Sequence, residues 1–498
     1  MTQDDLRRRA TRSIGWVVAE RWGSKFLALG VLIVLTRLLD PSDFGLVALA
    51  TSVISILAVL VDSGLTTALI QKRQLDPKDA STAFWASLGT AVALAIALVL
   101  LAPLLATAFN EPQLAPVLQV LSLVLPISAL SRIPAGLLER EFDFKSLSVR
   151  QLIGSVGGAA TSIPLALMGF GVWALVAQTV AGAAVGTIAL WASTSWRPRF
   201  EFSFSSLRTL WRTGVSVLGI ELLDAVQGNI DKIVVGLFFS AEELGIYYLA
   251  QRLGTILVEM VTSVISRISL TTFSRVQDDL PRVNRIYRRL TFAAAAISFP
   301  IFGLVAVLSP QIVPAVFGPS WDASIPLIWI LAPGWAVASL MYFDRGVLLG
   351  TGHAGVAFGL AVFQNIVGIA LVFAFVPLGI YGIALSRLAR IFTWPVRLWI
   401  LKRLINLAIG KYLLEALRCV AAIAVPLTVI ACLQLTPWAS TPLAFWTFAL
   451  PLAIVTLPIY FGTLWLVAGT ENRNQIAPVM SAVRQRIRRK RPPRDAGK

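Results

Sequence analysis

The sequence predicts an all-α polytopic membrane protein with about fourteen transmembrane helices, organised as two parallel six-helix lobes followed by two further C-terminal helices. Three observations lead there. Apolar runs long enough to span a bilayer recur along the whole chain. Among the connectors, only alternate ones carry Lys and Arg. A stretch early in the chain returns 200 residues later, Leu39 echoed by Phe239.

Composition excludes an ordinary soluble domain. Of the 498 residues, 57% are apolar and 14% charged, against roughly 25% charged in soluble proteins, and the mean hydropathy is +0.77. Runs of roughly twenty apolar residues, the length that crosses the hydrocarbon layer, fall at 13–38, 44–66, 81–109, 114–136, 147–168, 171–192, 213–239, 244–272, 290–316, 323–343, 355–376, 379–400, 413–434 and 442–468. The first run follows the polar residues 1–12 and is too long for a signal peptide, so it is expected to be retained. Pro126, Pro134, Pro300, Pro333 and Pro395 fall inside or near span ends, where they are expected to kink helices.

Charge orients the chain. The 43 Lys plus Arg outnumber the 26 Asp plus Glu, for a net charge of +17. In a soluble protein that excess would suggest nucleic acid; in a polytopic one it follows from basic residues resisting translocation. Lys72, Arg73 and Lys78; Arg140, Lys145 and Arg150; Arg197, Arg199, Arg208 and Arg212; Arg275 to Arg289; and Arg397 to Lys411 mark alternate connectors, whereas the intervening ones, such as Ser240 to Glu243, carry neither Lys nor Arg. Both termini are therefore expected to be cytoplasmic. The basic stretch Arg484 to Arg491 reads as a topology anchor, with anionic headgroups as an alternative ligand.

Enzyme chemistry has no place in this pattern. Cys419 and Cys432 share one predicted helix and stand roughly 20 Å apart along its axis, so they neither pair nor share a metal. His353 is the single histidine, and no phosphate-binding glycine loop occurs. No catalytic group, metal or cofactor is expected, and the predicted outer connectors are too short to house a catalytic domain. Gly182 and Gly186, at GxxxG spacing, are expected to let helices pack closely.

The echo runs from Leu39–Ala50 to Phe239–Ala250, and a second pairs Gly171–Ala177 with Gly379–Leu385. Six helices is an even number, so both copies start on the same side and are related about an axis along the membrane normal. The expected organisation is an N-terminal lobe at 13–194, a cytoplasmic connector at 195–212, a C-terminal lobe at 213–405, two extra helices at 406–468 and a basic tail at 469–498.

The motifs in Thr36–Val47, Leu137–Lys145, Gly169–Gln178, Asn229–Gly236 and Glu243–Leu253 resemble the Wzx-type polysaccharide flippases of the MOP transporter superfamily, especially the branch similar to colanic acid and teichuronic acid exporters. The resemblance covers roughly residues 10 to 405 and leaves out the last two helices. It implies transfer of an undecaprenyl-diphosphate-linked oligosaccharide across a bacterial inner membrane, with a polysaccharide polymerase and other export proteins as possible partners besides membrane lipids. A small-molecule exporter of the related MATE type and a non-transporting scaffold of a synthesis complex are the competing readings.

Charged and amide side chains within spans are costly there and normally face a cavity or a partner. Arg21, Lys25, Asn229, Lys232, Arg252, Gln364 and Asn365 are the substrate or cavity candidates, and Asp62, Glu221, Asp224 and Asp231 the gating or ion-coupling candidates. Arg132, Arg387 and Arg390 also fall inside spans. The repeat offset sets Arg21 against Glu221, so Arg21 and Lys25 are expected to meet Glu221 and Asp224 when the lobes close.

Overall fold

The computed structural model describes residues 23–62, 64–72, 75–141, 143–434 and 445–467, with no strand among them. The N-terminal residues, including Arg21, and the basic tail at 484–491 lie outside the described residues. The helices are α1 (23–38), α2 (Pro41–Asp62), α3 (Leu65–Gln71), α4 (Pro77–Ala108), α5 (Leu114–Leu121), α6 (Val124–Arg140), α7 (Phe144–Leu167), α8 (Val172–Ser193), α9 (Phe204–Phe238), α10 (Ala241–Arg275), α11 (Leu280–Val316), α12 (Ser324–Gly350), α13 (Ala354–Phe375), α14 (Gly379–Ala389), α15 (Trp394–Ile405), α16 (Ile409–Leu433) and α17 (Leu450–Val467). Each predicted span is mostly helical over its described residues.

Three predicted spans are broken: the second at Gly64, whose φ of 68° is left-handed, and the fourth and twelfth beside prolines. The fourth divides at Ser122–Leu123, where Pro126 enters the first turn of α6. The twelfth passes through a 3-10 turn at Arg390–Thr393 before Pro395 opens α15. A proline lacks the N–H that would continue the ladder, so it fits best in the first turn of a helix. Pro134, Pro300 and Pro333 lie within α6, α11 and α12.

Nine helical stretches among the described residues are long and apolar enough to cross a membrane. The long helices α7, α9 and α10 fall short of that measure. They are also the helices that carry Arg150, the pair Asp231 and Lys232, and Arg252, so the polar side chains of the candidate site account for their lower apolarity.

The chain divides into two compact units. The first comprises Met1–Ile256, Val316–Leu327 and Phe358–Arg390. Its most tightly constrained crossing is that of α2 and α10. A Cβ on Gly45 would lie 1.8 Å from the Ala241 carbonyl oxygen, and one on Gly245 would lie 1.7 Å from that of Pro41. These contacts exchange under the offset of 200 that maps Pro41 onto Ala241 and Gly45 onto Gly245, the pattern a local two-fold axis produces. Around the crossing, Trp321 donates to the Thr36 carbonyl at 2.9 Å and meets Phe44 edge-on, and Arg37 donates to the Val316 carbonyl at 3.1 Å. The α7–α8 pair is close as well, with a Cβ on Gly154 only 2.8 Å from the Gly182 carbonyl, as the GxxxG spacing predicts.

The second unit comprises Leu257–Ala315, Ile328–Ala357 and Ile391–Lys498. Phe292, Leu340, Cys419, Ile423, Tyr460 and Leu464 form one buried cluster from α11, α12, α16 and α17. Polar contacts pin α16 to α11: Arg288 pairs with Glu415, and Tyr287 stacks on Tyr412 with ring centres 5.9 Å apart. Tyr287 also donates to Asp344 at 2.6 Å, and Arg397 reaches the other Asp344 oxygen at 3.0 Å. An apolar groove of about 800 Å³ runs beside them, lined by residues such as Phe302, Ala336, Trp394, Leu413, Leu417 and Val420.

Candidate functional site

In the first unit, α1, α6, α7 and α8 enclose a cavity of about 340 Å³. Its wall combines Arg150, Gln151, Ser155, Gln178 and Thr187 with the glycines of the α7–α8 contact, and Arg252 reaches it from α10. A second cavity of about 230 Å³, lined by Phe44, Thr51, Tyr248 and Arg252, shares Ala28, Gln178 and Thr179 with the first. Neither has an acidic residue among its described lining. Arg150 donates to Ser131 Oγ at 3.0 Å. Such walls offer two guanidinium forks with hydroxyl and amide groups, the donors and acceptors suited to a phosphate and to a polyhydroxylated molecule.

A second cluster is closed. Asp231 of α9 is fully buried, and its Oδ2 accepts from Tyr247 at 2.6 Å, from Gln251, and from Arg387 of α14 at 2.9 Å (Nε) and 2.8 Å (Nη2). A buried carboxylate needs such an enclosure, because an uncompensated charge inside a protein costs several kcal/mol. Its other oxygen, Oδ1, and the Oδ1 of buried Asn365 accept no hydrogen bond from the described residues.

The two clusters occupy equivalent places in the repeats. Asp231, Tyr247 and Gln251 map by the offset of 200 onto Val31, Val47 and Thr51, and Arg387 maps by the second offset, 208, onto Thr179. All four equivalents line the cavities. Where the second repeat is filled by an ion pair and its hydrogen-bonding partners, the first has small side chains and open space.

Among the sequence-derived candidates, Arg252 lines both cavities, and its guanidinium makes no hydrogen bond or ion pair with a described residue. Asp231 sits in the closed cluster. Lys232 and Asn229 form a local pair on α9 at 2.9 Å, and Asn365 donates to the Ala361 carbonyl of its own helix at 3.0 Å. Gln364 lies half-buried beside it on α13. Asp62 holds Thr66 at 2.7 Å and Arg132 at 3.5 Å, and Glu221 stands in the electrostatic field of Asp62, Arg132 and Asp224. Lys25 is half-buried near the described start of α1. Its expected companion Arg21 is outside the described residues.

The sequence groups Arg150 with a basic connector, yet it stands in the second turn of α7 and lines the larger cavity. A signal was present: Arg150, Gly154 and Gly158 lie at i, i+4 and i+8, on one helical face. An arginine on the face that packs against another helix is not merely a topology charge.

Comparison with known proteins now bears on this geometry. The family model described as "Polysaccharide biosynthesis protein" matches residues 34–326. The chain belongs to this family. Within it, the chain is 29% identical over 367 residues to the succinoglycan biosynthesis transport protein ExoT of Rhizobium meliloti (strain 1021), covering 74% of each chain. It is 24% identical over 362 residues to the lipopolysaccharide biosynthesis protein WzxC of Escherichia coli (strain K12), covering 72% of this chain and 71% of that one. Among solved structures, the lipid II flippase MurJ in an inward closed conformation superposes with a TM-score of 0.74 at 14% identity, covering 91% of this chain and 99% of that one. An inward-facing MATE family transporter of the MOP superfamily follows the same fold, with a TM-score of 0.61 at 15% identity over 78% of this chain and 99% of that one. The polysaccharide biosynthesis family member described here is thus a multi-pass helical membrane protein with the MOP fold.

Proposed function

We propose that the protein is a flippase that carries undecaprenyl-diphosphate-linked oligosaccharide repeat units across the bacterial inner membrane by alternating access, for polysaccharide export. The single observation that carries this reading is the cavity of the first unit, where Arg150 and Arg252 stand among hydroxyl and amide side chains. Sugar hydroxyls taken into hydrocarbon without partners cost roughly 2 to 7 kcal/mol each, so an oligosaccharide needs a wetted, hydrogen-bonding path. A diphosphate needs cations along it. The polyprenyl chain stays in lipid, and the apolar groove of the second unit offers it surface. The names of ExoT and WzxC support the same reading.

The working parts are proposed to be two six-helix lobes, at 13–194 and 213–405, with both termini cytoplasmic. The reciprocal glycines at Gly45 and Gly245 support the duplication. Arg21 and Lys25 are proposed to meet Glu221 and Asp224 on closure. Coupling to a proton or sodium gradient is a further part of the proposal, with Asp62, Asp224 and Asp231 as candidate acids. The spare Oδ1 acceptor of Asp231 supports it, while the Arg387 counter-ion makes Asp231 the weakest of the three. A polysaccharide polymerase is the proposed neighbour in the membrane.

The deciding experiment is complementation of a strain lacking its own flippase, with lipid-linked intermediates measured by leaflet. The intact chain is expected to clear the cytoplasmic-leaflet intermediate, and Arg150→Gln/Arg252→Gln to let it accumulate. Export that survives this double substitution sinks the flippase reading and favours a scaffold. A MATE-type exporter of cationic compounds fits the arginine-lined wall poorly, because like charges repel in a cavity of low dielectric.

A further inference from the structure

Residues 195–212, most of the connector between α8 and α9 together with the first nine residues of α9, carry Arg197, Arg199, Arg208 and Arg212 and a single acid, Glu201. The connector itself, residues 194–203, has no regular secondary structure and bends at Phe200. Phe200, Phe202 and Phe204 are exposed, at 93%, 48% and 79%, and Phe202 and Phe204 meet edge-on with ring centres 5.1 Å apart. Trp196, Glu201 and Ser203 are less exposed, and Glu201 Oε2 is buried. In the first turns of α9 the outward face continues at Arg208, Trp211 and Arg212, all exposed, while Leu210 is buried.

This segment is held, not loose. Trp85 of α4 donates its indole N–H to the Arg199 carbonyl at 2.8 Å, and Ser81 and Thr82 accept from the backbone N–H groups of Arg199 and Ser203, both at 3.1 Å. Trp85 stacks on Phe200, with ring centres 5.1 Å apart. Ser203 then caps α9 by accepting from Ser206 N–H. The backbone is thus satisfied by α4, with Phe200 lying against Trp85 yet largely exposed and Phe202 and Phe204 exposed beside it.

Its position restricts what can cover it. It starts two residues after Ser193, the last residue of α8, and is bonded to the first turns of α4; both helices are long and apolar enough to span a membrane. Span ends lie at the headgroup layer, where aromatic rings are at home and basic side chains gain from anionic lipid. We propose that residues 195–212 form a strap that docks on an anionic lipid surface, with Phe200, Phe202, Phe204 and Trp211 entering the headgroup layer and Arg199, Arg208 and Arg212 pairing with lipid phosphates. Rings left this exposed in water forgo the gain of burial, whereas in the interface they are buried and bring the guanidinium groups to phosphate depth. Glu201, the one group that would repel such a surface, has an oxygen turned away from it.

The test uses the full chain with Cys432→Ser and a spin label at Ser205→Cys, in nanodiscs of phosphatidylcholine alone or mixed with phosphatidylglycerol. Collision of the label with a neutral nickel chelate is expected to fall as phosphatidylglycerol is added. Each arginine is expected to contribute about fivefold to the balance between docked and free strap. Arg199→Gln/Arg208→Gln/Arg212→Gln should abolish the fall, the corresponding three-lysine variant should keep it, and Phe200→Ser/Phe204→Ser should weaken it even where the glutamine variant fails to fold. Equal chelate access in both nanodiscs overturns the proposal and leaves the strap as a water-facing surface for a soluble partner. A fall that persists in the glutamine variant also overturns it, because the attraction would then not be to phosphate.

Discussion

Gly45 and Gly245 face one another where α2 crosses α10, each lying against a first-turn carbonyl of the opposite helix, Gly45 against Ala241 and Gly245 against Pro41. The two residues are equivalent in the repeat, so one crossing uses the same sequence element twice. Two backbones this close leave no room for a side chain at either position.

Alanine at Gly45 or at Gly245 is therefore expected to force the helices apart, at a cost of about 1 to 3 kcal/mol or more each. Thermal unfolding of the detergent-purified protein reads this as a lowered midpoint. Because both substitutions strain one crossing, the double variant should lose less than the sum of the singles. Strict additivity would argue that the two sites are strained independently.

Arg387→Gln is expected to be far more damaging than its size suggests, since it leaves Asp231 buried without its counter-ion. Removing one partner of such a pair costs about 3 to 5 kcal/mol. Asp231→Leu/Arg387→Met should recover much of that loss, because it removes both charges. The same thermal measurement decides, and a double variant as unstable as Arg387→Gln would contradict the pairing.

Arg252 should behave in the opposite way. No ion pair with a described residue depends on it, so Arg252→Gln is expected to leave the unfolding midpoint near that of the parent. Losing a charge-assisted contact to a phosphate, worth about 1.5 to 3 kcal/mol, should lower transport by about tenfold or more. Complementation and melting measured on one preparation separate the two effects, and a large fall in midpoint would show that Arg252 is structural.

Glu415→Gln is expected to destabilise the second unit by loosening α16 from α11, because the Arg288–Glu415 pair is largely buried. Limited proteolysis should then cut sooner near 406–409. Unchanged cleavage there would show that the apolar cluster around Cys419 and Tyr460 alone holds α16 in place.

The helices were legible in the sequence because hydrocarbon thickness sets a length that apolar runs report directly. The breaks at Ser122 and Arg390 were not, although Pro126 and Pro395 were visible, because a proline that kinks a helix and one that starts a new helix look alike without their neighbours. Asp231 and Arg387 were each singled out as polar residues within spans, but 156 positions separate them, and no local pattern joins them. Arg150 was hidden by its place near a basic connector. The repeat was legible at Gly45 and Gly245; that its two copies had diverged into a filled and an open cluster required the packing of α8 and α14.

Gln251 and Arg252 are neighbours on α10, pointing about 100° apart on the helical wheel. The first holds the carboxylate of the filled cluster, and the second enters the open one. α10 is therefore a shared axle. Any turn about its axis that withdraws Arg252 from its cavity must also pull on Asp231, so what happens at the open position is felt mechanically at the sealed one without a further relay.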